Sequence, residues 1–253
     1  MALTRRFILL LPSAAAVMLG KTVEVHAPGL VVVRSALSDE EQQYLARSTR
    51  RLGQRRLNGF FDADTGTLNA ATGRGRIYER RERLPFRFEW LATRAVAQAR
   101  ECHGELPACR PSHCLINYYT SSKGLRWHRD IYANDGDGDK PVINLSVGAA
   151  CTFGVRVEGK VRKVRLASGD ALLFGGPSRF VEHAVLDVHL DERPAWLGED
   201  EAYRLSFTFR DASSVLGREH DFRTFDASNR WFRRTQRAWR PGQALVDVPV
   251  QEA

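Results

Sequence analysis

A chain of 253 residues, 43% hydrophobic and 27% charged, has the make-up of a soluble globular protein with one well-buried core, with or without appendages. Four cysteines without a C-x-x-C pair are too few to staple a chain this long, which excludes a disulfide scaffold and favours a reducing compartment. The formal charge of +8 sits in clusters and suits a phosphate-bearing partner; the plainer reading is a generically basic surface.

The first segment, "MALTRRFILLLPSAAAVMLGK", places an arginine pair before an apolar run and small residues, the layout of a targeting signal. Pro12 interrupts the run, which is short for a membrane span. Residues 1–22 are therefore set apart as a targeting segment or an apolar extension packed on the domain. A transit segment would send the protein to a mitochondrion or plastid; an extension leaves cytoplasm and nucleus open. Next, "GLVVVRSALSDEEQQYLARSTRRLG" reads strand, turn, helix, with Ser38 and Glu41 as a capping box and Gly53 closing the helix. Residues 58–76, rich in Gly, Asn, Asp and Thr, predict a loop or loose hairpin. Behind Pro85, "FRFEWLATRAVAQARE" carries apolar residues at helical spacing.

From residue 113 the texture changes to short strands divided by Gly, Asp and Pro: "CLINYY", "LRWHRD", "PVINLSVG", "CTFGVRV", "VRKVRLASGDALLFGG", "RFVEHAV" and "YRLSFTFR". Strands at this density predict an α+β, mainly β fold, a sandwich or barrel with helices before it, and not a parallel α/β sheet. The domain is expected over 23–211, with a basic extension over 212–253. In that extension Arg230, Arg233, Arg234 and Arg237 share one helical face, either solvated or in contact with phosphates.

Alternate residues of a strand share a face, so His128 and Asp130 point together while Trp127 and Arg129 point away. A third donor, His183, lies in "RFVEHAV". Two imidazoles and a carboxylate on one face of an octahedron leave three positions open, the arrangement that suits non-haem Fe(II). The bland alternative is an Asp130–arginine pair and a satisfied core histidine. Zinc held by Cys102, His103, Cys109 and His113 fits no common spacing. Alternating Asp135, Asp137 and Asp139 lack the EF-hand glycine and read as a solvated acidic loop. In "RLSFTFR", Arg204, Ser206, Thr208 and Arg210 share a face opposite Leu205, Phe207 and Phe209. Two arginines inside a barrel need anions, and a dicarboxylate would meet that need through bidentate guanidinium contacts. A solvent-facing strand is the competing reading. Asn117 and Tyr119, also on one strand face, are placed to donate to the same acid.

Taken together, "CLINYYTSSKGLRWHRD", "VINLSVGAACTFG", "LASGDALLFGGPSRFVEHAV" and "YRLSFTFR" resemble the AlkB family of Fe(II)/2-oxoglutarate-dependent dioxygenases over most of 113–211. The resemblance implies a double-stranded β-helix (jelly-roll) core with flanking N-terminal helices. It implies that His128, Asp130 and His183 hold iron, that Asn117, Tyr119 and Arg204 bind the distal carboxylate of 2-oxoglutarate, and that Arg210 lies near its keto-acid end. Ser206 stands where the family's founding member has asparagine, and Tyr132 replaces an acid that helps read the methylated base there. "GRGRIYERRERLP" resembles a nucleotide-recognition lid, which makes Arg76 and Tyr78 candidate substrate contacts beside Tyr132 and Trp127. The implied chemistry uses Fe(II), 2-oxoglutarate and O2 to hydroxylate an N-methyl carbon of nucleic acid, releasing formaldehyde, succinate and CO2. A monomer without stable membrane association is expected. Rival readings are a zinc-type metal hydrolase, a non-catalytic nucleic-acid-binding module, and the same oxygenase chemistry on a methylated protein side chain.

Overall fold

The computed structural model describes residues 15–18, 21–53, 76–79, 84–111, 113–130, 140–198 and 201–211. Its first helix, α1 (Asp39–Gly53), begins where the sequence places the cap. Ser38 Oγ accepts the Glu41 N–H at 3.3 Å and Glu41 Oε2 accepts the Ser38 N–H at 2.9 Å, so two otherwise orphaned donors are satisfied reciprocally. The second, α2 (Phe86–Cys102), starts behind Pro85 and buries Phe88, Leu91, Ala92, Ala95, Val96 and Ala99. Arg94 of α2 grips both carboxylate oxygens of Glu41 at 2.7 Å and ties the helices together.

Twelve strands are described: β1 (Ala15–Met18), β2 (Lys21–Ala27), β3 (Leu30–Val33), β4 (Arg76–Glu79), β5 (His113–Tyr119), β6 (Lys123–His128), β7 (Val142–Gly148), β8 (Ala150–Val157), β9 (Lys160–Leu166), β10 (Ala171–Phe174), β11 (Glu182–His189) and β12 (Arg204–Arg210). They form a major sheet in the order β1-β2-β3-β10-β7-β12-β5-β4 and a minor sheet in the order β6-β11-β8-β9. All the ladders are antiparallel. This is the expected mainly-β, jelly-roll class with helices to one side.

Strand β12 shows why the sheets face each other. Its odd-numbered residues, Leu205, Phe207 and Phe209, pack under α2, with Phe88 edge-on to Phe207 at 5.5 Å and to Phe209 at 6.4 Å. Burying each phenylalanine contributes up to about 3 kcal/mol. The period of two then forces Arg204, Ser206, Thr208 and Arg210 to the inner face, where they too are buried. A second apolar cluster closes the interior between the sheets, with Leu30, Val32, Tyr119, Leu172 and Phe174 from one side and Phe153, Val155, Val164 and Val185 from the other.

Two sequence expectations meet the structure differently. The run "VRKVRLASGDALLFGG" divides into β9 and β10, which join different sheets. Its break is fixed by Asp170, whose carboxylate accepts the N–H of Ala167 and of Ser35 and binds Arg34 at 2.6 Å. In "RFVEHAV" the strand begins only at Glu182, because Gly176–Ser178 form a 3-10 turn that runs into Arg179. Strand β2 opens at Lys21, and β1 pairs with it from Ala15↔Glu24 to Met18↔Lys21. The loop or loose hairpin predicted over 58–76 lies outside the described residues except for Arg76, which opens β4, and Tyr132 with the acidic loop and the basic extension beyond Asp211 also lie outside them. No helix among the described residues is long and apolar enough to cross a membrane.

Candidate active site

The site begins at the β6–β11 ladder, where His128 and His183 are direct partners. That approach needs Gly124: a Cβ there would stand 1.7 Å from the Val185 carbonyl oxygen. The two rings meet at 4.3 Å between centroids, and Phe153 and Phe174 close over His183 at 5.4 and 4.8 Å. Asp130, just past the end of β6, completes the group. One donor atom from each of His128, Asp130 and His183 lies within 4.8 Å of the others, with His128 Nε2 3.8 Å from Asp130 Oδ1.

The surroundings set the state of each donor. His128 Nδ1 lies 2.7 Å from the Arg126 carbonyl and His183 Nδ1 lies 3.0 Å from the Val181 carbonyl. A carbonyl only accepts, so both Nδ1 atoms donate and Nε2 is the ring atom left to each imidazole for a metal. Burial, then the neighbouring His128, pushes the His183 pKa down to about 4, which keeps its ring neutral at physiological pH. Burial alone would raise the Asp130 carboxyl, but Arg210 and the two imidazoles outweigh it and hold the group well below the usual carboxylate range. Arg210 Nη2 reaches Asp130 Oδ2 at 2.6 Å with both side chains buried. Two imidazoles anchored through Nδ1 and an ionised carboxylate form the donor set that Fe(II) takes on one face. The residues fit the metal.

Strand β12 supplies the opposite wall. In its register Arg204 faces Tyr119, Ser206 faces Asn117 and Ser146, and Thr208 faces Asn144. The Arg204 guanidinium is 1% exposed and donates to the Ala149 carbonyl at 3.2 Å and to Ser146 Oγ at 3.0 Å. No carboxylate among the described residues pairs with it, and its Nε has no partner there. A buried cation without an anion is costly, and a diacid entering this interior removes the cost. The residues therefore fit a dicarboxylate as well.

The sequence reading missed two polar groups of this interior. Arg179, 1% exposed, donates through Nη1 to the main-chain carbonyl of Asp130 at 2.6 Å and so ties the residue after β6 to the turn before β11. Burial lowers its pKa to about 10. Asn144 donates through Nδ2 to Ser206 Oγ at 2.7 Å and to Thr208 Oγ1 at 3.2 Å. Its position was visible as a period of two in "VINLSVG", where Asn144 and Ser146 alternate with apolar residues. Arg179 left no comparable signal.

One expected contact, Trp127, is not gathered here. Trp127 lies on the far face of the minor sheet, over Gly154 and beside Leu186, with the Arg156 guanidinium 4.6 Å above its ring. Arg76 and Tyr78 lie on β4, in register with Asn117 and Leu115 of β5. The four cysteines are free thiols, and His103 Nε2 accepts the Gly29 N–H at 2.9 Å.

Two antiparallel sheets enclosing a His-Asp-His donor set and a buried arginine strip define an Fe(II)- and 2-oxoglutarate-using oxygenase. The chain belongs to the 2OG-Fe(II) oxygenase superfamily, whose family model matches residues 29–210. Fe(II), 2-oxoglutarate and O2 are accordingly its cofactors and co-reactants. The chain is 28% identical over 228 residues to the DNA N(6)-methyladenine demethylase ALKBH1C of Arabidopsis thaliana, covering 76% of this chain and 50% of that protein. It is 30% identical over 107 residues to the alpha-ketoglutarate-dependent dioxygenase AlkB of Salmonella typhimurium, covering 41% of this chain and 47% of that protein. The chain thus spans about half the length of these curated relatives. Among solved structures, that of OsALKBH1 superposes with a TM-score of 0.63 at 26% identity, covering 74% of this chain and 100% of that one.

Proposed function

We propose that this protein oxidatively demethylates N-methylated bases in nucleic acid. The observation that carries the reading is the union, in one buried interior, of the His128–Asp130–His183 donor set with the unneutralised guanidinium of Arg204. In this reading His128, Asp130 and His183 hold Fe(II). Arg204, Asn117 and Tyr119 bind the distal carboxylate of 2-oxoglutarate, Ser206 lines the same wall, and Arg210 serves the keto-acid end. Bound Fe(II) with 2-oxoglutarate and O2 supplies oxidation of the N-methyl C–H bond, the keto acid leaving as succinate and CO2. The resulting N-hydroxymethyl group breaks its C–N bond to give formaldehyde and the unmethylated base.

The chain's own residues do the rest. The two carbonyl-anchored Nδ1 protons hold both imidazoles in the ligating tautomer. Phe153 and Phe174 keep water from one side of His183. Names of relatives such as the Arabidopsis demethylase support a methylated nucleic acid as substrate. Arg76, Tyr78 and Tyr132 are assigned to the base and its flanks, and Trp127 with Arg156 to a more distant contact. The oxygenase domain is assigned to 23–211 and the basic extension over 212–253 to phosphate contact; the chain is taken to act as a monomer.

The test is anaerobic loading with Fe(II) and 2-oxoglutarate, then O2 and a panel of methylated DNA and RNA oligonucleotides, following formaldehyde and base composition. Turnover is expected on at least one oligonucleotide. Turnover on methylated peptides alone would overturn the substrate assignment, and activity without 2-oxoglutarate would overturn the reaction class. Deleting residues 229–240 should flatten the salt dependence of oligonucleotide binding.

A further inference from the structure

We propose that Asn144 is a further cosubstrate-binding residue, its side-chain amide donating to a carboxylate oxygen of 2-oxoglutarate between Arg204 and Arg210. The inference rests on the cosubstrate reading above. Asn144 lies on β7 directly opposite Thr208 of β12, on the inner face that Arg204, Ser206, Thr208 and Arg210 share. Its Nδ2 stands 2.7 Å from Ser206 Oγ and 3.2 Å from Thr208 Oγ1, and its buried Oδ1 has no partner among the described residues. In that orientation the two hydroxyl protons also find no acceptor among the described residues.

A half-turn of the amide about its last torsion exchanges oxygen for nitrogen and resolves all three deficits. Oδ1 then accepts from both hydroxyls, and the NH2 group takes the unpartnered place. What remains unsatisfied is purely donor in character. It lies on the strip that also holds Arg204, whose guanidinium lacks a carboxylate among the described residues. Donors converging from an amide and a guanidinium in a buried interior call for an anion. Ser206, held by Asn144 and shorter by two heavy atoms, acts through that amide and braces it.

The experiment is calorimetric titration of 2-oxoglutarate into the Mn(II)-loaded full chain, so that binding is read without turnover. Asn144→Ser keeps a hydroxyl for Thr208 and withdraws the amide; Asn144→Asp keeps the shape and reverses the electrostatics. The serine variant is expected to bind about 10- to 100-fold more weakly, the range for one hydrogen bond to a charged acceptor, and the aspartate variant more weakly still. Mn(II) affinity should stay within about twofold of wild type for both. A serine variant that retains Mn(II) binding and binds 2-oxoglutarate as wild type does would overturn the assignment of Asn144 alone. A wild-type chain that takes up Mn(II) but no 2-oxoglutarate would overturn the cosubstrate reading, and this inference with it.

Discussion

Replacing Arg210 with methionine isolates what keeps the carboxylate of the metal site charged. Arg210 and Asp130 form an ion pair of 2.6 Å in which each side chain is only 5% exposed. Arg179, the other buried cation nearby, donates to the Asp130 main-chain carbonyl. Removing one partner of a buried pair costs about 3–5 kcal/mol, since the remaining charge is left without its counterion. For a domain of this size that lowers the melting temperature by about 6–20 °C. In the wild type the Asp130 carboxyl titrates below its ordinary range, so its contribution is complete at neutral pH and is lost only as pH falls through that depressed value. In the variant burial acts with less opposition and raises the carboxyl. The deficit is therefore largest at pH 7 and shrinks toward pH 4 as the group takes up a proton. Mn(II) answers the same charge and should narrow the gap further. Thermal and urea melts of the metal-free proteins at pH 7 and pH 5, repeated with Mn(II), measure all three effects. A loss below about 1 kcal/mol at pH 7, unchanged by pH or metal, would refute the reasoning, because it would place the pair in the range of a solvated one.

Three further outcomes follow from the same geometry. His183 titrates near 4 in the fold against 6.5 when exposed, so the metal-free chain should lose about 3 kcal/mol as pH falls from 7 to 4, and His183→Gln should flatten that slope in urea titrations. Gly124→Ala forces a methyl against the Val185 carbonyl, so β6 must move from β11; about 1–3 kcal/mol of stability should be lost and Mn(II) affinity should fall at least about tenfold by calorimetry. Arg179→Met removes the donor to the Asp130 carbonyl and should cost about 2 kcal/mol by chemical denaturation, with Arg179→Lys recovering part of it.

How much of this was legible in the chain depends on the range over which each signal acts. The capping box of α1 and the apolar spacing of α2 are local, and both helices stand where those signals place them. The arginine strip was legible because β12 alternates without interruption and because Phe207 and Phe209 had to turn toward a helix. The triad needed His183 to meet His128 across a ladder, and no spacing in the sequence states that register. Arg179 escaped notice for a physical reason: it follows a 3-10 turn, where no periodicity marks a face, and its partner lies 49 residues earlier in the chain. The division of β9 from β10 depends on Asp170 binding Arg34, again a contact of long range.

The place of β12 in the sheet bears on how the protein matures. It is the last described strand in chain order, yet it slots between β5 and β7 in the middle of the major sheet. During synthesis those two neighbours wait with open hydrogen-bonding edges, an interval in which a nascent chain is prone to mispairing and calls for chaperone cover. Both guanidinium groups arrive with the closing strand, so the buried cationic strip forms in the same event that seals the sheet.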